Sequence, residues 1–241
     1  MSDFLSINRA AFCEHGIDRF LTDRTEPLFS ELCRILVEKN AQMNVTAITD
    51  DDGIARKHFA DCVFLSCVIG DEGSVVDVGC GGGFPSLPLA ITKPNLRITA
   101  IDSTAKKVNY VADTARALGL DNLTTRAMRA EDGAHDTTYR EQYDFACARA
   151  VASLNILAEL CLPYLKVGGR FFAMKGKGAP EELEAAKRGI KILGGELVEI
   201  HQFPLYADGE EQTRYIIEIK KTAPTPDLYP RQYAKIKKKP L

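Results

Sequence analysis

Residues 75–84 read Val-Val-Asp-Val-Gly-Cys-Gly-Gly-Gly-Phe, and an apolar run with the character of a helix, 85–91, follows them. A short stretch with β-branched residues, then clustered glycines, then a helix is typical of a buried strand, a tight loop and a helix. Such a loop is a candidate cofactor site. Phe84 stands where the dinucleotide-binding fingerprint requires its third glycine, so the spacing argues against a dinucleotide.

The same stretch fits the pattern Asp-x-Gly-x-Gly-x-Gly, with Asp77 at the end of the strand, where a carboxylate would repel a pyrophosphate. We therefore expect a cofactor without phosphate groups, and S-adenosylmethionine (AdoMet) is a common one. Residues without a Cβ atom let a ligand approach the backbone closely. The glycines predicted to contact it are Gly79, Gly81 and Gly83. An ordinary tight turn between strand and helix is the alternative interpretation.

The composition suits a single α/β domain with a small addition, because the chain has 241 residues, of which 45% are hydrophobic. No run approaches the ~18 apolar residues of a membrane span, and no signal peptide is recognisable, so we expect a cytoplasmic protein. The seven cysteines form no C-x-x-C pair and no zinc spacing, which predicts reduced packing residues and no metal. With a net charge of −2, any nucleic-acid surface must be a local basic patch.

The order of predicted elements divides the chain into three parts. Residues 1–70 have helical periodicity and form an N-terminal helical cap, residues 71–222 alternate between strand and helix, and residues 223–241 form a basic tail that we expect to be extended. Strands are predicted at 74–78, 97–101, 123–126, 143–148, 169–175, 196–202 and 213–220. Crossover helices make the first five parallel, whereas a short loop makes the last two antiparallel. The predicted fold is a Rossmann-like methyltransferase sheet.

Four candidate contacts lie where ligands bind in such a sheet, at the carboxyl ends of the strands. Asp102 ends the second predicted strand, where a carboxylate can accept hydrogen bonds from both ribose hydroxyls; capping the next helix is the alternative. Ala130 and Glu131 follow the third, where a backbone N–H or a carboxylate can meet the adenine amine; a solvated acidic loop is the alternative. Phe84 packs either on the cofactor or on the start of its helix.

Two cations follow the fourth and fifth predicted strands. Arg149 emerges among small apolar residues and therefore needs a hydrogen-bond acceptor. This acceptor is expected on the cofactor or the substrate; a salt bridge to Glu131 or Asp77 is the alternative. Lys175 adds a second positive charge at the same rim, unless it is a solvated loop lysine. In the cap, His58 and Asp61 share a helical face, and they either contact a ligand or pair with each other.

Taken together, these motifs resemble the RsmG (GidB) family, whose members methylate N7 of one guanosine in bacterial 16S rRNA of the small ribosomal subunit. The resemblance covers about residues 40–241 and is carried by residues 77–90, Asp102-Ser103, Lys106-Lys107, Arg129-Ala130-Glu131, Ala148-Arg149-Ala150, Lys175-Gly176, Tyr229-Pro230-Arg231, Asn44-Val45-Thr46, and His58 with Asp61. It implies cofactor contacts at Gly79, Phe84, Ala130, Glu131 and Arg149. Two positions depart from it: Ser86 stands in place of the expected Gly, and Cys62 in place of Ser.

Motifs for other methylations are missing. After the fourth predicted strand stands Ala-Arg-Ala-Val (148–151) rather than a Pro-Pro-aromatic loop for an exocyclic amine, and Cys80 and Cys147 are expected to pack rather than attack a ring carbon. Guanine N7 carries a free lone pair and no proton, so its methylation depends on placement and charge stabilisation. We therefore expect no general acid or base, with Arg149 and Lys175 as contacts to the substrate or transition state.

RNA binding is expected from His58 and from the basic, aromatic tail, which contains Tyr229, Arg231, Tyr233, Lys235, Lys237, Lys238 and Lys239. A tail that is merely solvated is the alternative. Three competing functions remain at this stage: a methyltransferase acting on a small molecule, a nicotinamide-dependent oxidoreductase, and an RNA-binding regulator without enzymatic activity.

Overall fold

A seven-stranded sheet forms the centre of the molecule in the computed structural model, which describes residues 2–241. Its strands are β1 (Gly73–Val78), β2 (Leu96–Asp102), β3 (Leu123–Ala127), β4 (Tyr143–Arg149), β5 (Leu165–Lys175), β6 (Gly195–Ala207) and β7 (Glu210–Lys221). In space they follow the order β3-β2-β1-β4-β5-β7-β6. The first five are parallel, and β7 lies antiparallel between β5 and β6.

Helices cover both faces of the sheet. They are α1 (Ser2–Glu14), α2 (Thr25–Met43), α3 (Asp51–Gly53), α4 (Asp61–Val68), α5 (Ser86–Thr92), α6 (Ala105–Ala117), α7 (Ala130–Gly133), α8 (Leu154–Cys161), α9 (Ala179–Ile192) and α10 (Tyr233–Lys238). A π-helical segment, Ile54–Ala60, joins α3 to α4 without a break. Double coverage explains why the last four residues of β1 are all buried. The predicted fold class is confirmed.

The cap is helical, as predicted, and residues 2–70 contain no strand. It is not a separate body, because Phe59 and Phe64 of the cap belong to the same hydrophobic cluster as Val75 of β1 and Phe172 of β5. A second cluster lies on the opposite face, beneath α8 and α9. The division at residues 70 and 222 therefore remains an interpretation of the chain, since packing crosses the first boundary.

The tail departs from its prediction. An extended conformation is wrong for Tyr233–Lys238, which forms α10, and Ile236 of this helix is fully buried in the second cluster. One buried apolar residue among exposed lysines is too weak a pattern to indicate a docked helix. Among residues 2–241, none of the helices combines the length and apolarity that spanning a membrane requires.

Candidate active site

The glycine loop between β1 and α5 has a backbone that few other residues could adopt. Gly79, Gly81 and Gly83 have φ angles of +80°, +54° and +85°, in the left-handed region that favours glycine. The N–H groups of Gly79 and Cys80 both donate to the carbonyl of Ile101 at 2.9 Å, which ties the loop to the end of β2. The loop therefore lies at the carboxyl edge of the sheet, as predicted.

A cleft of ≈ 510 Å³ opens above this loop, within the size range of small-molecule sites. Most of the predicted cofactor contacts line it: Gly79, Gly81, Phe84, Asp102, Ala130, Glu131 and Arg149. Gly83 serves another purpose, because a Cβ there would stand 2.5 Å from Leu87 and 3.2 Å from Val111. Its missing side chain lets the loop pack on α5 and α6, so the structure places Gly83 behind the cleft and not in it.

Asp102 lines the cleft and also orders its floor. One carboxylate oxygen accepts from the N–H of Gly81 at 3.1 Å, and the other accepts from the N–H of Thr104 at 2.8 Å, just before α6. The alternative role of Asp102, capping the next helix, is therefore present in part. Each carboxylate oxygen can accept a further hydrogen bond, so a pair of hydroxyl donors in the cleft can still be met.

Glu131 is buried on the cleft wall, with a relative exposure of 5%. It lies in the first turn of α7, where a carboxylate is favoured by the helix dipole, and Arg129 approaches it at 3.9 Å. The alternative of a solvated loop describes only its neighbour Asp132, which is exposed. Glu131, which is buried, and Asp102, which is half-buried, suit the hydroxyl and amine donors of a ligand. Gly81 leaves the space above the loop free of a side chain. Both features fit the predicted AdoMet.

Arg149 connects the cap to the sheet. Its Nη1 donates to Asp61 at 2.8 Å and to the backbone carbonyl of Lys57 at 3.0 Å, while Nη2 donates to Nδ1 of His58 at 3.1 Å. The expected alternative partners, Glu131 and Asp77, were wrong, because the carboxylate comes from the cap. His58 and Asp61 accordingly meet on Arg149, which neither sequence-based interpretation of the two residues anticipated.

His58 is held as a neutral imidazole. A guanidinium can only donate, so Nδ1 must accept from Arg149, and the ring proton therefore lies on Nε2, which donates to Thr46 Oγ1 at 2.8 Å. Burial lowers the pKa of His58 to about 3, and the charges of Arg149 and Lys57 act in the same direction. The ring also stacks on Phe84, with centroids 4.6 Å apart. Phe84 thus packs on the cap as well as lining the cleft.

A second cleft of ≈ 620 Å³ adjoins the first. The two share the wall formed by His58, Arg149, Ala150 and Val151. Four cations and two carboxylates line the second cleft: Lys57, Arg149, Lys175, Arg214, Asp61 and Glu182. Lys175 is not a solvated loop residue, because it lies 2.8 Å from Glu182 and also donates to the carbonyl of Ala152.

Arg214 was missed by the sequence analysis. It projects from β7, and its Nε lies 3.2 Å from Asp61, so one carboxylate bridges two guanidinium groups. The only available signal was a charged residue near the start of a predicted strand, which is commonplace at a strand end. Its position opposite Asp61 depends on a contact between residues far apart in the chain.

Comparison with known proteins identifies the family. Residues 25–208 match the family model for rRNA small subunit methyltransferase G (GidB). The chain belongs to this family. The Ribosomal RNA small subunit methyltransferase G of Brevibacillus brevis is 43% identical over 223 residues, 92% of this chain and 93% of that protein. That of Halalkalibacterium halodurans is 45% identical over 215 residues, 88% and 90% of the two chains.

Solved structures of distant sequence share this fold. The crystal structure of M. jannaschii TYW2 in complex with AdoMet has a TM-score of 0.54 at 15% identity, covering 67% of this chain and 75% of that chain. At this identity the likeness supports the fold alone. It agrees with the mostly parallel sheet and its antiparallel end.

The departure at Ser86 from the family pattern has a local explanation. Asp77 is fully buried beneath the glycine loop, and the hydroxyl of Ser86 donates to its Oδ2. Burial raises the pKa of Asp77 to about 6, against the opposing effect of this hydrogen bond. Asp77 is therefore a structural carboxylate that stabilises the start of α5 from below. Burial likewise raises the pKa of the Cys80 and Cys147 thiols, which agrees with their predicted packing role.

The predicted RNA contacts of the tail fall into two groups. Arg231 is engaged with Glu159 of α8 at 2.6 Å, so its charge is already compensated within the protein. Lys235 and Lys237 are exposed on α10 and remain candidates for RNA contact. The neutral, buried His58 lies at the shared wall of the clefts, where it can touch a bound base but carries no charge for a phosphate.

A group of possible metal ligands lies outside both clefts. Glu199, His201 and Glu218 place ligand atoms within 4.8 Å of one another on β6 and β7. Glu218 accepts from His201 at 2.8 Å and is also paired with Arg170. The group is accounted for as an ion-pair network, and the expectation that the protein uses no metal stays a prediction.

Proposed function

We propose that this protein transfers the methyl group of AdoMet to N7 of a guanosine in 16S rRNA, acting in the cytoplasm on the small ribosomal subunit or its RNA. The observation that carries the proposal is the shared wall of two adjoining clefts, because a transferase must hold donor and acceptor side by side. The names of the relatives, Ribosomal RNA small subunit methyltransferase G, support RNA as the substrate.

The first cleft holds the cofactor, which supplies a methyl group on a positively charged sulfur. Gly79 and Gly81 present backbone rather than side chain to it, and Asp102 accepts hydrogen bonds from the ribose hydroxyls. Glu131 and the backbone of Ala130 face the adenine. Phe84, fixed by its stack on His58, closes the side next to the cap.

The second cleft receives the target nucleotide. Its cationic side chains outnumber its carboxylates by four to two, which favours a ligand with a phosphate. The guanidinium of Arg149 is fixed by three acceptors from the cap and reaches both clefts, so it can orient the base edge relative to the methyl donor. Asp61 and Glu182 place negative charge in the same cleft, where the methylated base becomes positive.

The chemistry of this wall suits an acceptor that carries no proton. Both ring nitrogens of His58 are engaged, and the lowered pKa of His58 keeps it from accepting a proton. The thiols of Cys80 and Cys147 are protonated, because burial raises their pKa, which disfavours covalent catalysis. Guanine N7 needs neither function. Catalysis by placement is therefore the mechanism that these residues support.

The experiment that tests the proposal incubates the purified protein with tritiated AdoMet and small ribosomal subunits, naked 16S rRNA, or a pool of metabolites. Reduction with borohydride followed by aniline cleavage breaks RNA at N7-methylguanosine and maps the position. We expect a single cleavage site in 16S rRNA that is absent without the protein. Label in small molecules alone, or in RNA that resists this cleavage, would contradict the proposal.

A further inference from the structure

The last part of the chain, residues 225–241, is docked along the protein; we call it the C-terminal strap. Ile236 is fully buried in the cluster formed by α8 and α9. The terminal Leu241 packs on α9 at Gly189, where an added Cβ would stand 2.8 Å from the Cβ of Leu241. The strap is thus fixed at its end as well as along its length.

A buried ion pair anchors the middle of the strap. Glu159 of α8 has no exposed surface, and it accepts from the backbone N–H and the Nε of Arg231 at 2.8 Å and from its Nη2 at 2.6 Å. A carboxylate without its cation would be strongly unfavourable at such depth. Arg140 adds bonds to the carbonyls of Tyr229 at 2.9 Å and Thr225 at 2.8 Å. These contacts set the position of the residues that follow Arg231.

Tyr233 follows this anchor by two residues and lines the cofactor cleft. It is half-buried and packs against the same hydrophobic cluster as Met128 and Ala130, which follow β3 and line the same cleft. The strap therefore supplies a side chain to the wall of the cleft.

We infer that the C-terminal strap is part of the cofactor site and that the ring of Tyr233 packs against the adenosine portion of bound AdoMet. The inference rests on the proposed function, because it deepens the assignment of the first cleft. An aromatic side chain gives a flat apolar surface for a purine at a small entropic cost. Cofactor binding and docking of the strap then stabilise each other.

The test compares Tyr233→Ala, Tyr233→Phe and the exposed-residue control Gln232→Ala in the full chain by calorimetric titration. The titrants are AdoMet and methylthioadenosine, which keeps the adenosine and lacks the amino acid. We expect Tyr233→Ala to lower the affinity for both ligands by roughly tenfold, and the other two variants to bind them as the parent chain does. Cofactor should also slow amide hydrogen exchange in residues 231–238. If Tyr233→Ala unfolds at a lower temperature, Tyr233→Leu, which keeps apolar volume without an aromatic face, replaces it.

Three results would overturn the inference. Tyr233→Ala could bind AdoMet with the same affinity as the parent chain, it could lose affinity for AdoMet but not for methylthioadenosine, or its defect could be confined to RNA binding. The last would make Tyr233 an RNA-stacking residue. If the parent chain itself binds no AdoMet, the proposed function fails. The two failures are therefore distinguishable, because only the second involves the unmodified protein.

Discussion

Arg149 and Asp61 are joined by an ion pair of 2.8 Å that links the end of β4 to the cap, and the other oxygen of Asp61 lies 3.2 Å from Arg214. Both partners are largely buried, with side-chain exposures of 15% and 12%. One carboxylate thus holds two guanidinium groups from different strands at the junction of the two clefts. If Arg149 is removed, Asp61 therefore keeps a cationic partner in Arg214.

Replacing Arg149 by Ala should reduce single-turnover methyl transfer by about 100-fold or more, because the group that positions the base is lost. The fold should persist, since Arg214 still pairs with Asp61. Arg149→Lys should be intermediate, because one ammonium cannot reach all three acceptors that the guanidinium serves. The exposed Arg188 offers a matched control, and Arg188→Ala should be fully active. An unchanged rate in Arg149→Ala would return Arg149 to a structural role.

Asp102→Ala should weaken AdoMet binding by about tenfold or more, because it removes the ribose acceptor and the bond that orders Gly81. Calorimetric titration measures the effect, with circular dichroism as a check on the fold. Asp132→Ala removes an exposed carboxylate near the same cleft and should leave the affinity unchanged. Equal losses in both variants would show a general effect of charge and not a specific contact.

His58 should remain neutral over the working pH range, because its folded pKa is about 3. Nitrogen chemical shifts of the ring should show the proton on Nε2 down to about pH 5. An imidazolium signal at pH 6 would contradict the assigned hydrogen bonds to Arg149 and Thr46.

The same group makes the fold sensitive to acid. In the unfolded chain His58 takes up a proton below about pH 6.5, whereas the folded chain does not, so its contribution to stability is complete above that pH and declines as the pH falls toward 3. Between pH 6.5 and 5 this amounts to about 2 kcal/mol. Urea unfolding at several pH values should show that His58→Asn loses less unfolding free energy on acidification than the parent chain does.

Gly82 tests the contact between cap and loop. A Cβ at this position would stand 2.5 Å from Cγ1 of Val45, so Gly82→Ala should displace the loop at a cost of about 1–3 kcal/mol and weaken AdoMet binding. Val45→Ala should restore much of the affinity in the double variant by removing the clashing methyl groups. If the double variant binds as poorly as Gly82→Ala, the clash is not the cause.

The strands of the sheet and their directions could be predicted from the sequence because the signals are local. Apolar runs of strand length, the glycine loop and the helical periodicities each appear within a few residues of the chain. The β6–β7 hairpin was predicted too short, because residues 203–207 and 210–212 were left out of it. Pro204 interrupts the strand pattern in the first segment, and the second segment is polar. Residues at the ends of parallel strands also identified most of the cleft wall.

What could not be predicted depends on contacts between distant segments. Arg149 and Asp61 are 88 residues apart, and the sequence offered Glu131 and Asp77 as more obvious partners. The π-helical segment that carries His58 has no sequence signal, although such segments are frequent at functional sites. Tyr233 reaches the cofactor cleft on a strap that is held by distant partners, among them Glu159, which lies 72 residues before Arg231.

Phe84 of the glycine loop lies beside both His58 and Phe59 of the cap, with ring centroids 4.6 Å and 6.3 Å away. The cap therefore forms part of the wall of both clefts and is not an accessory attached to them. An engineered chimera that exchanges the first seventy or so residues between two family members would have to transplant the loop along with them, because the halves interlock through these three rings.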